Sequence, residues 1–397
     1  MEGFVQRITK SFFAQKTVEI RRTSVIIGSD SETRVSKNET GGDALKKLGV
    51  INLGSTSTKV AYFEDDVCVF SDSISHPAEE VKQFASNWDQ YDYRKSRIVE
   101  FFESKGVDIA GLDAFVSRGG HTEPIHGGVW RINEKMLEES RSMKYGNHVS
   151  DLGMRIAYDL AKDKRSAYIV DSPCTDEFEP LARYSGLPEM PRQSRFHVLN
   201  HKACGRAFCK DHGLDYNQVS LVVAHLGGGT SVAAHKNGKL IDGDNGLEGD
   251  GAFSTNRTGA LPVGALVDAC YSGEYTREQM HRKLNGLGGM MAYVNDNDVL
   301  SVYNKGIAGD KQCMEVIDAM VYQTAKSIGA MATVLDGKVD AVLLTGGIVH
   351  NEYIVEQLKK RVGFIAPVYV YPGEREMLSL GQQTYYALIG KEEVFEL

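Results

Sequence analysis

The chain has 397 residues, 42% of them hydrophobic and 25% charged, with a formal net charge of −8. That length supports two domains with cores of their own, and the acidic balance argues against nucleic acid as the main partner. No apolar run approaches the roughly 18 residues that a membrane span needs, because segments such as 339–349 are broken by charge or glycine.

Residues 1–48 stand apart, polar and with 9 basic against 6 acidic residues, whereas the remainder carries a net −11. Glu2 and Glu19 interrupt the basic character of a transit peptide, so 1–47 is expected to be a loosely ordered tail or the product of a start codon placed too far upstream. Over 48–70 alternating apolar residues predict short strands with turns at Gly54 and Glu64-Asp65-Asp66. Pro77 opens an amphipathic pattern that predicts a helix to about Lys105. Residues 114–117 form a buried strand that delivers Arg118-Gly119-Gly120. Ser150 is the expected N-cap of a helix to Lys162, and 167–170 is a further apolar strand ending in Asp171. The irregular stretch 173–191 marks the passage between domains.

The second half is expected to open with a helix over 200–210, followed by strands over 220–225 and 231–241 and a glycine-rich loop over 243–264. Thr276-Arg277-Glu278-Gln279 has the pattern of a capping box. The longest helical pattern, 313–335, feeds a strand at 341–344. Strands alternating with helices in each half indicate an α/β protein with helices covering the sheets. The six cysteines (Cys68, Cys174, Cys204, Cys209, Cys270, Cys313) have neither C-x-x-C nor zinc-type spacing, which reads as reduced thiols in a cytoplasm.

Two stretches have the same layout. Ile51-Asn52-Leu53-Gly54-Ser55-Thr56-Ser57-Thr58-Lys59 and Ala224-His225-Leu226-Gly227-Gly228-Gly229-Thr230-Ser231 each run from an apolar approach through a Leu-Gly turn to a tip of hydroxyls or glycines. Such a strand–turn–strand offers backbone N–H groups and hydroxyls to phosphate oxygens. One is only a turn; two, facing each other from two half-domains, would hold a nucleoside triphosphate. Neither a P-loop nor a G-x-G-x-x-G after a strand is present. Strand ends carry Asn52, Arg118, Asp171, His225 and Thr345-Gly346-Gly347, and strand carboxyl ends line the ligand crevice of open α/β folds. Arg118 and Arg257 each sit among small residues that leave a guanidinium free to fork onto a carboxylate or phosphate; a structural arginine is the alternative. His197 and His201 have an i, i+4 spacing compatible with zinc, but no third ligand has suitable spacing, which points to a solvated or hydrogen-bonding role for at least one of them.

With these residues assembled, the chain from about Leu48 onward resembles the butyrate kinases, a branch of the acetate kinase group. The resemblance rests on the two loops, on Phe196-His197 through His201, on Gly246–Gly264 with Arg257, and on Val370-Tyr371-Pro372-Gly373-Glu374 with Glu376-Met377. His225-Leu226-Gly227-Gly228-Gly229, in place of the H-L-G-N-G usual in acetate kinases, favours the butyrate branch. The resemblance implies duplicated ribonuclease-H-like (actin-like ATPase) domains, two lobes around a nucleotide cleft, at 48–190 and 191–397. A last helix at about 376–390 would pack back on the first lobe.

The resemblance also implies roles. Asn52, Ser55, Ser57 and Lys59 would bind phosphate at the first loop, and His225, Gly227, Gly228 and Gly229 would contact the triphosphate. Arg118 would grip the substrate carboxylate, while His197 and Arg257 would stabilise the phosphoryl group in flight. Asp171 would help hold Mg²⁺ with Glu374 or Glu376, and Gly346, Gly347 and Ile348 would line the adenosine site. The reaction implied is reversible transfer between ATP and butanoate, giving ADP and butanoyl phosphate, in a cytoplasmic homodimer or larger homo-oligomer. Alternatives are a kinase for acetate, propionate or a branched acid, and an actin-like regulatory ATPase that transfers nothing; the latter has no need of Arg118, Asp171, His197 and Arg257 together.

Overall fold

A computed structural model describes residues 44–247 and 249–397. Most of the tail expected over 1–47 lies outside the described residues. The described chain carries twelve strands in two sheets: β1 (Lys47–Leu53), β2 (Ser57–Glu64), β3 (Val67–Ser75), β4 (Ala114–Ser117), β5 (Val129–Arg131), β6 (Ala167–Val170), β7 (Ser220–Leu226), β8 (Thr230–Lys236), β9 (Lys239–Gly243), β10 (Ala341–Gly346), β11 (Val368–Pro372) and β12 (Val394–Phe395). The first sheet has the order β12-β5-β6-β4-β1-β2-β3 and the second the order β11-β10-β7-β8-β9.

Five strands of the first sheet repeat the whole of the second. In β3-β2-β1-β4-β6 the first three are antiparallel and the next two join in parallel. The series β9-β8-β7-β10-β11 has the same order and the same directions. The two loops singled out in the sequence are therefore equivalent hairpin tips, β1–β2 and β7–β8. Arg118-Gly119-Gly120 after β4 and Gly346-Gly347 at β10 are likewise equivalent. This is the expected duplicated α/β architecture.

The central strands read as unbroken apolar runs because each is covered on both faces. On one face of the first sheet, Ile51, Leu53, Val60 and Phe115 pack with the helices Tyr91–Ser104 and Ser150–Leu160 through Ile98, Phe102, Leu152 and Ile156. On the other, Leu48, Val50, Ala61 and Phe63 pack against Leu380 of the helix Glu376–Leu388. In the second sheet, Val222, Ala224 and Val342 meet the long helix Lys311–Val334. Leu221, Val223 and Leu343 meet Cys204 and Phe208 of the helix Val198–His212.

Local chemistry decides where the sequence reading departs from the structure. The helix expected from Pro77 to Lys105 is broken into Ala78–Val81 and Tyr91–Ser104. Asp89 accepts from both the N–H and the hydroxyl of Ser86, local bonding that competes with a continuous helix. The strand expected over 231–241 is two, turned at Asn237 and Gly238, both at positive φ, as a tight hairpin requires. Ser150 is the first helical residue, one position inside the cap. The capping box at Thr276 is present with both reciprocal bonds.

Candidate active site

The site is built where the carboxyl ends of the central strands of both sheets meet the segment after β11. In the first loop, the Gly54 N–H bonds Ser57 O and closes the turn. Arg94, fully buried, holds the tip from beneath: it donates to the carbonyls of Gly54 and Ser55 at 3.0 and 2.9 Å and to Gln90. The carbonyls are thereby turned inward, which leaves the side chains of Ser55 and Ser57 at the surface. Burial pulls the Arg94 guanidinium down to about 10, still cationic at neutral pH.

Asn52, at the end of β1, donates to Glu376 Oε2 at 2.8 Å, and both side chains are buried. Arg118 Nη2 lies 4.0 Å from the other oxygen of Glu376. The Arg118 Nε is buried without a partner among the described residues. The turn that carries Arg118 is fixed by Asp151, which accepts from the N–H groups of His121 and His148. Lys59 pairs with Glu374 at 2.7 Å. Burial alone would raise the Glu374 carboxyl, but Lys59 holds it below its ordinary value.

The second loop is tighter. Gly227 N–H bonds Gly229 O, and the Ser254 hydroxyl donates to Gly228 O. Space beyond Gly228 is open, whereas a Cβ on Gly229 would collide with the guanidinium of Arg257. Arg257 donates Nη1 to Gly246 O at 2.6 Å, and its Nε is buried and unpartnered among the described residues. Two arginines thus bring unsatisfied N–H groups into one site, the condition expected where an anionic ligand supplies the acceptors.

His197 and His225 stack with ring centroids 3.9 Å apart and planes within 12°. His197 Nδ1 and His201 Nε2 both reach the Ser231 hydroxyl, at 2.9 and 3.0 Å, so both histidines are hydrogen-bonded. His225 Nδ1 is held by Asn200 at 2.8 Å. Burial pushes His225 down to about 4, and burial with the neighbouring histidines and arginines pushes His197 well below its usual range. Both rings are neutral at physiological pH.

Gly346 adopts a φ of 97°, and a Cβ there would run into the Leu226 backbone. Gly346 and Gly373 exchange both backbone bonds at 3.0 Å, tying the third glycine loop to the segment bearing Glu374 and Glu376. Gly347 is open. Ile348 is buried in the core of the second sheet, so only its backbone is placed to line a ligand.

Asp171 follows the end of β6, and its fully buried carboxylate takes Arg206 on both oxygens and the Gly128 N–H on Oδ1. Burial would raise it, but Arg206 and Lys202 hold it low. No contact joins it to Glu374 or Glu376 among the described residues, and no group of three or more potential metal ligands occurs among them. In this structure the Asp171 carboxylate is engaged in a buried ion pair with Arg206. Sequence reasoning missed Arg94, Asp151, Asn200 and Ser231. Each acts through a segment distant in sequence; Asn200, between His197 and His201, and Ser231, at the end of the second loop, lie where a local signal could have drawn attention.

Comparisons with known proteins bear on this geometry. The acetokinase family model matches residues 189–369. Butyrate kinase 2 of Clostridium acetobutylicum is 46% identical over 87% of this chain and 98% of its own length. A probable butyrate kinase of Bacteroides thetaiotaomicron is 43% identical over 87% and 98%. Among solved structures, the acetate kinase of Porphyromonas gingivalis superposes with a TM-score of 0.73 at 18% identity, covering 86% of this chain and all of that one. Its likeness extends the match from sequence to fold, so that the duplicated sheets, the paired loops and the near-full-length identity lead to one conclusion: the chain belongs to the acetokinase family.

Proposed function

We propose that the chain transfers the γ-phosphoryl group of ATP directly to the carboxylate of butanoate, giving butanoyl phosphate and ADP, reversibly. The observation that carries this reading is the convergence of Arg118 and Arg257, each with an unpartnered buried Nε, beside two glycine loops and two neutral imidazoles. A carboxylic acid is ionised at neutral pH, so the nucleophile needs no general base. The difficulty is to bring one anion onto another. Arg118 binds the carboxylate and sets one oxygen in line with the γ-phosphorus. As the new O–P bond forms, the bond to the β-phosphate oxygen breaks and its electron pair leaves with ADP. Arg257, His197 and His225 face the equatorial oxygens as donors whose orientation is already fixed.

The donor set fits Mg²⁺ only through the segment after β11. Such an ion is commonly held by one or two carboxylates together with substrate phosphates and water. Glu376, with Glu374 beside it, would hold it, and when bound it neutralises charge on the triphosphate. Closure of the halves 48–190 and 191–397 about residues 180–200 would exclude water from the acyl phosphate. A cytoplasmic setting fits the six free cysteines. Self-association fits the helix Val263–Tyr271, which buries none of its residues and exposes Val263, Val267 and Tyr271. No described helix is long and apolar enough to cross a membrane.

The choice of butanoate rests on the similarity to butyrate kinases. Trapping acyl phosphate with hydroxylamine, in the presence of ATP and Mg²⁺, across acetate, propionate, butanoate and isobutanoate tests it. A maximum with a four-carbon acid is expected. A maximum at acetate overturns the substrate, and no hydroxamate with any acid overturns the reaction.

A further inference from the structure

Asn200 lies on the first turn of the helix Val198–His212, and three segments of the site meet on its amide. The Arg375 backbone N–H, which can only donate, bonds Asn200 Oδ1 at 2.9 Å. That fixes the other end of the amide, Nδ2, toward His225 Nδ1 at 2.8 Å and Thr345 Oγ1 at 3.4 Å. Thr345 supplies a second constraint: its hydroxyl proton goes to Gly373 O at 3.1 Å, so its oxygen is free to accept from Nδ2. Both neighbours demand the same amide orientation, and an amide nitrogen can only donate. His225 Nδ1 must therefore be the bare nitrogen, and the ring proton resides on Nε2. The Nε2 edge is the one turned to the phosphate loop, where a Cβ on Gly227 would lie 2.9 Å from it.

We propose that Asn200 is a positioning residue that locks His225 as the Nε2–H tautomer, so that the ring presents a permanent, uncharged donor to the transferring phosphoryl group. The proposal rests on the phosphoryl-transfer reading above and deepens it. It also explains why the amide is tied to Arg375: the same side chain that sets the tautomer anchors the segment carrying Glu374 and Glu376. His225 is faced by His197, His201, Arg118, Arg257, Glu374 and Glu376, and burial pushes its pKa down.

Asn200→Asp tests this with almost no change of shape. One carboxylate oxygen can still accept from Arg375 N–H, but the other now accepts from Nδ1–H and strips Nε2 of its proton whenever the ring is neutral. In the ¹⁵N spectrum of ¹⁵N-histidine-labelled protein without ligands, the His225 signals, assigned by their loss in His225→Gln, are expected to report Nε2–H in the wild type. In Asn200→Asp they are expected to report Nδ1–H at alkaline pH. The kcat of the variant relative to wild type should fall by about a hundredfold at alkaline pH, the usual cost of one lost transition-state donor. It should recover as pH falls and the ring, drawn up by the new carboxylate, regains its second proton. A merely structural asparagine would give a ratio independent of pH. Nδ1–H in the wild type, or a pH-independent ratio, overturns the proposal. The wild-type spectrum decides the tautomer even if the variant fails to fold. It does so without substrate, so a failure of the kinase reading is distinguishable as absence of hydroxamate in wild type.

Discussion

Replacing Arg257 with alanine separates catalysis from folding more cleanly than any other change in the site. Among the described residues the side chain makes one hydrogen bond, Nη1 to Gly246 O at 2.6 Å, and its Nε is buried without a partner. Losing one such bond costs about 1–2 kcal/mol, and burial already lowers the guanidinium pKa, an unfavourable contribution that the substitution removes. In a chain of this length that shifts Tm by no more than about 2–4 °C. On the proposed mechanism the same guanidinium faces the transferring phosphoryl group, where loss of one fixed donor costs about 10²–10³ in rate, or roughly 2.7–4 kcal/mol, and loss of an arginine in phosphoryl transfer up to about 10⁵. Hydroxamate formation by Arg257→Ala should therefore fall at least about a hundredfold in kcat, with Tm nearly unchanged. A folded variant that retains kcat within tenfold of wild type would remove Arg257 from the mechanism.

Asp171→Asn is expected to leave the Mg²⁺ concentration for half-maximal activity unchanged and to lower stability by about 3–5 kcal/mol, because Arg206 would be left as an unpaired buried charge; thermal melts and Mg²⁺ titration read the two effects, and a raised Mg²⁺ requirement would return Asp171 to the metal site. Glu376→Gln should instead raise the Mg²⁺ requirement about tenfold or more, and an unaltered titration would exclude it as a ligand. Gly381→Val should destabilise by about 1–3 kcal/mol or more, since a Cβ there falls 2.5 Å from the Phe63 ring; an unchanged denaturant midpoint would show that the last helix does not pack against β2 in solution. Stability should fall with acid between about pH 6.5 and 4, because His225 is neutral in the fold with a pKa of about 4 and takes up its proton near 6.5 when unfolded. That one group contributes about 3 kcal/mol of the loss, and a melting temperature flat over this range would mean that the ring is not buried uncharged.

The outline of this molecule was legible in the chain because its information is local. The Leu-Gly tips at Gly54 and Gly227, the apolar strands around them and the capping box at Thr276 all depend on residues within a few positions of each other, where turn geometry and burial periodicity act. What the periodicity did not carry was the break at Ser86, made by a side chain three residues away. The turn at Asn237-Gly238 was legible in its residue types, because Asn-Gly suits a tight hairpin, but reading 231–241 as one strand passed over it.

Two hairpin loops of the same layout, and arginines, histidines and carboxylates near strand ends, were readable from residue order alone. Only the tertiary structure decided which of them are partners. Asn52 meets Glu376 across 324 residues and Lys59 meets Glu374 across 315, pairings that depend on the segment after β11 returning to the first sheet. Asp171 and Glu376 are both buried carboxylates, indistinguishable by residue type. One is neutralised by Arg206 on the neighbouring helix, and the other lies between Asn52 and Arg118. The role of a charged group is set by which countercharge the fold brings within a few ångströms of it, because in a desolvated site that interaction outweighs any preference encoded along the chain.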